Sequence, residues 1–330
     1  MSSPTSPQTT VDPAAAPAPP GRLRGIDWRS YAIYIGFVVV FVLFAVFLAD
    51  DGFLSSTNLL NIFRQTAIIS VMAVAMTFVI AAAQIDLSVG SVAGLSSVAA
   101  ALAIAGTGST LFGVLAGLGV GLAIGIVNGS LVTFLGMPSF LVTLAMLGIA
   151  FGLAQFITTS KPVPILDHTF NAVFGGGNIG PIPGLLVWTA IAVAIGAVVL
   201  AKTPYGRQVL ATGGNRLAAE YTGVNTKRIT FTVMLVSSVV ASIAGMLYAG
   251  RLESGRYQWG TGDELSVIAA VILGGTSLFG GAGSVIGALF GSLLIGLINN
   301  GLILAGLDNS QQQIIRGLII IVAVALARKK

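Results

Sequence analysis

Long apolar runs alternate with short polar breaks along most of the 330-residue chain. A helix of about 20 apolar residues spans the ~30 Å hydrocarbon core of a bilayer. Nine runs have about this length. A tenth run, 263–273, is about half as long and is followed by the Gly274-Gly275 and Gly280-Gly281 pairs. The pattern predicts an all-α polytopic membrane protein with about ten transmembrane helices, including a short or broken one. The nine full spans are residues 31–49, 58–83, 86–106, 111–135, 138–158, 184–201, 229–250, 284–304 and 311–327.

The composition agrees with a membrane protein. Hydrophobic residues make up 55% of the chain and charged residues only 8%, whereas soluble proteins carry roughly 25% charged residues. So few charges would not cover the surface of a soluble domain. The chain has no cysteine, which excludes thiolate metal sites and thiol catalysis. Its single histidine, His168, excludes a histidine-rich metal site. There is no P-loop for ATP phosphates. We therefore expect no enzyme activity, no cofactor or metal, and no nucleic-acid partner.

The Lys and Arg residues predict an orientation. With the amino terminus inside and ten crossings, eleven fall on the inner side and only Lys161, Arg251 and Arg256 on the outer side, as the positive-inside rule requires. We expect a multi-pass protein of a bacterial inner membrane with both termini cytoplasmic. Residues 1–28 would be a disordered cytoplasmic tail before a transmembrane domain, 29–330. The inner residues are Arg22, Arg24, Arg29, Lys202, Arg207, Arg216, Lys227, Arg228, Arg328, Lys329 and Lys330.

Five glycines recur at every fourth position of the fourth span. This spacing puts positions without side chains along one helix face, where a neighbouring backbone can approach closely. The groove would serve ordinary packing within one subunit. Alternatively, it would form an interface between subunits or a sliding contact that changes between transport states. The five are Gly113, Gly117, Gly121, Gly125 and Gly129.

Asp86 is the only acid between Asp51 and Asp167. At mid-membrane an Asp costs ~2.5–3.5 kcal/mol, so it would need a purpose there. One interpretation makes it the N-cap of the third span at the cytoplasmic end; the other makes it line the pathway or a gate. The polar side chains predicted within or near spans either bond between helices or line a wet path. Together with Asp86 the candidates are Ser88, Asn128, Gln155, Asn299 and Asn300.

The polar segment 202–228 predicts a short helix on the inner side. Gly213 and Gly214 indicate a turn that leads into it, Asn215 is a good N-cap, and Gly223 is a natural stop. Leu217 and Tyr221 share one face. The helix either docks a cytoplasmic partner or lies passively on the headgroups. Its candidate residues are Gly214, Asn215, Arg216, Leu217, Ala218, Ala219, Glu220, Tyr221 and Gly223.

The outer stretch 251–262 and the two acids after it are a second polar surface. Acids at a helix start are favoured by the helix dipole, which is one sufficient explanation for them. The alternative is a docking surface for an extracytoplasmic partner. The candidates for that contact are Arg251, Arg256, Trp259, Asp263 and Glu264.

Several ordered segments resemble the permease subunits of ribose-type ABC importers. The segment QIDLSVGS at 84–91 resembles one signature of that family, and GGNRLAAEYTGV at 213–224 resembles its cytoplasmic loop. The resemblance covers residues 60–328 or so. Its other segments are 128–144, 269–287, Asn299-Asn300-Gly301 and 312–317.

The resemblance implies a pore in the bilayer that consists of two permease copies, as a homodimer, or of two related permeases. It implies a cassette ATPase docked at the cytoplasmic coupling loop 202–228, with 213–223 as the coupling helix. It also implies a binding protein that delivers a monosaccharide, and the ten-helix architecture of cobalamin-type (type II) importers. A branched-chain amino-acid permease and an ATP-independent secondary transporter remain alternatives.

Overall fold

The computed structural model describes residues 28–327, and helices dominate that range. The predicted spans agree with helices to within three residues at either end. The described helices are α1 Trp28–Phe47, α2 Ser56–Ala81, α3 Val89–Thr107, α4 Thr110–Thr133, α5 Ser139–Thr158, α6 His168–Asn171, α7 Gly184–Lys202, α8 Pro204–Gly214, α9 Arg216–Tyr221, α10 Thr226–Arg251, α11 Asp263–Leu273, α12 Val285–Leu304 and α13 Asn309–Ala327.

Seven described helices are long and apolar enough to cross a membrane: α2, α3, α4, α5, α7, α10 and α12. The chain is therefore an all-α polytopic membrane protein. The expected tail, residues 1–28, lies outside the described residues except for Trp28, and the basic end 328–330 lies outside them altogether.

Short irregular pieces connect the helices on the side where α3 ends and α4 begins. A π-helical turn covers Ala172–Gly176. Strand β1, Val163–Pro164, pairs antiparallel with β4, Ser254–Gly255. Strand β2, Asn178–Ile179, pairs with β3, Ile182–Pro183.

Helix α10 lies at the centre of the bundle and packs against α2, α3 and α4. Helix α12 packs against α1, α2 and α11. Most of α2 is buried, whereas only 28% of the most apolar stretch of α4, of α5 and of α7 is buried. Apolar faces of this kind are compatible with contact to lipid chains, which are as apolar as leucine.

The glycine groove of α4 packs within the chain. A Cβ on Gly121 would lie 2.5 Å from Ser242 Oγ and 2.7 Å from the Ser238 carbonyl oxygen, and one on Gly125 would lie 2.9 Å from Leu235 Cα. Gly113 faces α3 in the same way. The groove therefore lets α4 approach α10 and α3 backbone to backbone, as the packing interpretation requires.

The segment 202–228 differs from its prediction as a loop with one helix. It holds two helices, because Pro204 suits the first turn of α8 and Thr203 Oγ1 accepts the Gly206 N–H at 3.2 Å. Gly213 and Gly214 were expected to form a turn, but they are the last turn of α8. Gly213 packs so closely on the Ala81 carbonyl that a Cβ would overlap it.

The predicted short span, 263–273, is helix α11, and a stretch made mostly of turns leads into it. After α10 the chain runs back along α3: a Cβ on Gly255 would lie 2.5 Å from the Ser97 carbonyl oxygen, and one on Gly94 would lie 2.6 Å from that of Tyr257. Closer to the start of α3, a Cβ on Gly260 would lie 2.6 Å from the Gly90 carbonyl oxygen. From Ser97 to Gly90 is about 10 Å along a helix, so α11 begins inside the bundle.

We predict that Gly121→Leu destabilises the protein, because its side chain would collide with Ser242 and the Ser238 carbonyl. Overpacking of this kind costs about 1–3 kcal/mol. Thermal unfolding of the purified protein in detergent measures the loss. The matched control is Gly119→Leu on the same helix, where a Cβ meets nothing within 4 Å. Equal melting temperatures for the two variants would contradict the assignment of the groove to intrachain packing.

Candidate functional site

The carboxylate of Asp86 is fully buried and accepts three hydrogen bonds. Its Oδ1 accepts from the Ser88 N–H at 2.9 Å and the Ser88 hydroxyl at 2.6 Å, and its Oδ2 accepts from the Ser237 hydroxyl at 2.7 Å. Ser237 lies eleven residues into α10, about 16 Å from the start of that helix. Asp86 thus ties the connection between α2 and α3 to the middle of α10.

The expectation that Asp86 caps the third span is wrong. Helix α3 begins at Val89 rather than at 86, and its N-cap position is Ser88, whose side chain makes no capping bond. Residues 84–88 are not part of a helix, so the carboxylate reaches the Ser88 N–H and the α10 hydroxyl instead of the first helical N–H groups. Being fully buried, it lines no open path in this conformation.

Asn128 extends the same network to α4. Its Nδ2 donates to Ser88 Oγ at 3.1 Å. Its Oδ1 is buried and has no hydrogen-bond partner among the described residues. The polar chain Asn128–Ser88–Asp86–Ser237 therefore links α4, the start of α3 and α10. Linked buried hydrogen bonds reinforce one another in a low dielectric.

The other pathway candidates lie elsewhere. Asn300 and Asn58 form a reciprocal amide pair at 2.8 and 3.1 Å that joins α12 to α2. Gln155 donates to Ser160 Oγ at 3.2 Å beyond the end of α5. Asn299 is half-buried on α12. The structure brings together only Asp86, Ser88 and Asn128.

The five candidates for contact with an outer partner separate into two groups. Asp263 and Glu264 start α11 inside the bundle, where Asp263 Oδ2 accepts the Tyr248 hydroxyl at 2.5 Å. Glu264 Oε2 is buried without a hydrogen-bond partner among residues 28–327, and a Cβ on Gly90 would overlap it. Both acids are half-buried against the bundle, so neither projects freely toward an outer partner.

The other three lie in or just before the stretch that descends along α3. Arg256 is exposed, with its guanidinium carbon 5.3 Å above the Trp259 ring. Trp259 Nε1 donates to the Ser254 carbonyl at 2.8 Å. Arg251 Nη1 donates to the Arg64 carbonyl at 3.2 Å. Of the five, Arg256 alone is exposed.

The predicted short helix is present as α9. Asn215 Oδ1 accepts the Ala218 N–H at 3.0 Å, which confirms the N-cap. Gly223, with φ +87°, follows in the left-handed conformation that glycine adopts readily. Leu217 is 67% exposed and Tyr221 is 90% exposed, so the helix presents an apolar face that nothing in the described chain covers.

Glu220 fixes α9 to the start of α10. Its Oε1 accepts the Thr226 hydroxyl at 2.5 Å and Arg216 Nε at 3.2 Å. The Thr226 hydroxyl, followed by Arg216, lowers the pKa of Glu220 below its ordinary value. Since the folded pKa is the lower one, the link is complete above the unfolded pKa and weakens only as pH falls through the folded value.

Sequence reasoning missed Ser237, which holds the second oxygen of Asp86. The two residues are 151 positions apart, and serine is common inside membrane helices. The available signal was a pair of adjacent hydroxyls, Ser237-Ser238, in the middle of a mostly apolar run.

We predict that Ser237→Ala lowers stability by about 1.5–3 kcal/mol, the usual worth of a hydrogen bond to a charged group. Ser238→Ala is the matched control, because Ser238 Oγ is buried without a hydrogen-bond partner among the described residues. Chemical denaturation of both variants in the same detergent measures the difference. An equal loss in the two variants would mean that the Asp86–Ser237 bond contributes nothing.

Three relatives are similar to this chain over most of its length. The ribose import permease of Bacillus subtilis (strain 168) is 36% identical over 90% of this chain and 92% of its own. The ribose import permease of Escherichia coli (strain K12) is 39% identical over 85% of this chain and 88% of its own. The L-arabinose ABC transporter permease of Azospirillum brasilense is 36% identical over 98% of this chain and 96% of its own. No solved structure matches the chain significantly.

The family described as "Branched-chain amino acid transport system / permease component" matches residues 58–324. That range contains the Asp86 network and helix α9. The match covers far more than half of the chain, and it agrees with a bundle of apolar helices that holds a buried polar centre. The chain belongs to this family of membrane transport permeases.

Proposed function

We propose that the chain is the transmembrane permease subunit of an ATP-binding cassette importer that translocates a simple sugar, ribose-like or another monosaccharide. A separate ATPase subunit supplies the energy, and a soluble binding protein delivers the sugar. The family description names branched-chain amino acids, but the relatives reported above carry the names of ribose and arabinose permeases. That similarity over nearly the whole chain favours a sugar.

The exposed face of α9 is the observation that supports a cytoplasmic ATPase. A permease without its own nucleotide site needs a surface on which an ATPase can dock and transmit its conformational change. Leu217 and Tyr221 offer apolar anchors, and the Asn215 cap and the Glu220 bonds hold the helix in a fixed orientation. Buried aromatic and aliphatic anchors of this kind carry most of the energy of a protein interface.

The contacts also suggest how a push on α9 reaches the centre of the bundle. Glu220 bonds Thr226, the first residue of α10, and α10 holds Asp86 through Ser237. Movement of α9 would tilt α10 and carry the α2–α3 connection with it. Helix movements at interfaces are a common form of switching. The sugar itself would meet only weak hydrogen bonding, and specificity would reside largely in the binding protein.

We further propose ten crossings in the manner of cobalamin-type (type II) importers, with both termini cytoplasmic. Helices α1 and α13, together with the combined segment 252–273, would add three crossings to the seven helices of full span length. Lys202, Arg207 and Arg228 lie around α8–α10, and the positive-inside rule places that end in the cytoplasm. A second copy would complete the pore, and Arg256 at the other end is the best candidate for contact with the binding protein.

We predict that Leu217→Asp disrupts docking of the ATPase, because a charge would replace an apolar anchor. The measurement is the amount of cassette ATPase that co-purifies with the permease, and we expect a loss of tenfold or more, about 1.4 kcal/mol. Leu166→Asp is the control, since Leu166 is 84% exposed but lies in the connection after β1, at the opposite end of the bundle. Undiminished co-purification of the ATPase with Leu217→Asp would refute this docking surface.

Thr226→Val should uncouple transport while the ATPase still binds. The substitution keeps the shape of the side chain but removes the hydroxyl that Glu220 accepts. We expect fewer sugar molecules transported per ATP hydrolysed and unchanged co-purification of the ATPase. Thr222→Val is the control, because the Thr222 hydroxyl bonds only the Ala219 carbonyl within α9. An unchanged ratio of sugar to ATP would exclude the Glu220–Thr226 bond as the route of coupling.

A further inference from the structure

An apolar groove of about 370 Å³ lies between α2, α7 and α10. Ile191 and Ile195 on α7 are exposed at its mouth, while Phe78 on α2 and Val240 on α10 form part of its wall. Its opening is on the apolar surface of the bundle, where lipid chains and not water are the solvent. A sugar has nothing to bond with there.

The groove has the length of one lipid chain. Its α7 lining runs from Trp188 to Val199, and those eleven steps correspond to about 16 Å along a helix. Half of the ~30 Å hydrocarbon core, the depth of one leaflet, is about 15 Å. Tyr205, at the start of α8, also lines the groove, at the end that is close in sequence to Lys202 and Arg207.

A second, polar cavity of about 410 Å³ shares Tyr205 with the groove. Gln208, Asn225 and Arg228 line it. The Tyr205 hydroxyl bonds Thr232 Oγ1 at 3.0 Å, which holds the ring at the junction of the two cavities. The two cavities together therefore lead from apolar helix faces directly to amide and guanidinium groups.

Arg228 is available to a ligand. Its side chain is exposed, and the one ion pair among the described residues is that of Arg216 with Glu220. A guanidinium without a carboxylate partner is suited to a phosphate oxygen. Basic pockets between membrane helices on the cytoplasmic side bind anionic headgroups in this way.

We propose that the two cavities together bind one anionic phospholipid from the cytoplasmic leaflet, with an acyl chain along α7 and the phosphate against Arg228. The shared Tyr205 marks the position of the glycerol backbone. This site is independent of the sugar pathway and of the assignment of the substrate. It would hold α7 and α8 against α10, close to the helix through which the ATPase is proposed to act.

The test is native mass spectrometry of the purified full-length chain, titrated with phosphatidylglycerol and, separately, with phosphatidylcholine of the same acyl chains. One phosphatidylglycerol should bind more tightly than the rest and more tightly than phosphatidylcholine. Arg228→Gln should weaken phosphatidylglycerol binding about fivefold, since one basic residue near a membrane surface contributes about 1 kcal/mol. Ile195→Trp fills the groove and should weaken binding of both lipids.

Matched variants separate this site from the general lipid shell. Val198→Trp is on the same helix at 57% exposure, against 60% for Ile195, but Val198 does not line the groove. Arg207→Gln removes an equal charge outside the polar cavity. Both controls should bind phosphatidylglycerol like the wild type, and inorganic phosphate should not displace the lipid.

Three results would overturn the proposal. Equal lipid loss in test and control variants would indicate a nonspecific shell. Displacement by inorganic phosphate would indicate a simple anion site. A change of oligomeric state in Ile195→Trp with unchanged lipid binding would show that a second copy of the chain occupies the groove.

Discussion

The buried carboxylate of Asp86 constrains the centre of this protein. A carboxyl group taken out of water is costly unless hydrogen bonds replace its hydration. Here the replacements are the Ser88 N–H, the Ser88 hydroxyl and the Ser237 hydroxyl. Because one donor belongs to α10 and two belong to the chain just before α3, the carboxylate stays satisfied only while these two elements keep their positions. The α2–α3 connection is thereby bound to α10.

Close helix packing makes that arrangement possible. Asn128 reaches Ser88 because the glycine groove brings α4 against α3 and α10. Gly90 and Gly94 do the same for the stretch that descends along α3 to α11. Larger residues at these positions would separate the backbones and leave the central polar groups without partners. The buried polar network therefore depends on the close helix packing that these glycines allow.

The sequence predicted features that depend on local patterns. Span positions follow from apolar runs, the α4 groove from a four-residue spacing, and the α9 cap from Asn215. Features that depend on distant contacts were out of reach. The partner of Asp86 is 151 residues away, so the sequence offered only a cap of the nearest helix start or a place in the pathway. Helix α8 was missed because its Gly213-Gly214 pair is typical of a turn, whereas in the fold Gly213 provides a close approach to Ala81.

The proposed activity of this permease is the movement of a sugar at the expense of ATP hydrolysed by a partner subunit. The most direct measurement is uptake of radiolabelled monosaccharides and leucine into proteoliposomes that contain the permease with its ATPase, with the binding protein outside. We predict uptake of a monosaccharide that requires internal ATP, and no uptake of leucine. Sugar uptake driven by a proton gradient without ATP, or leucine uptake without sugar uptake, would contradict it.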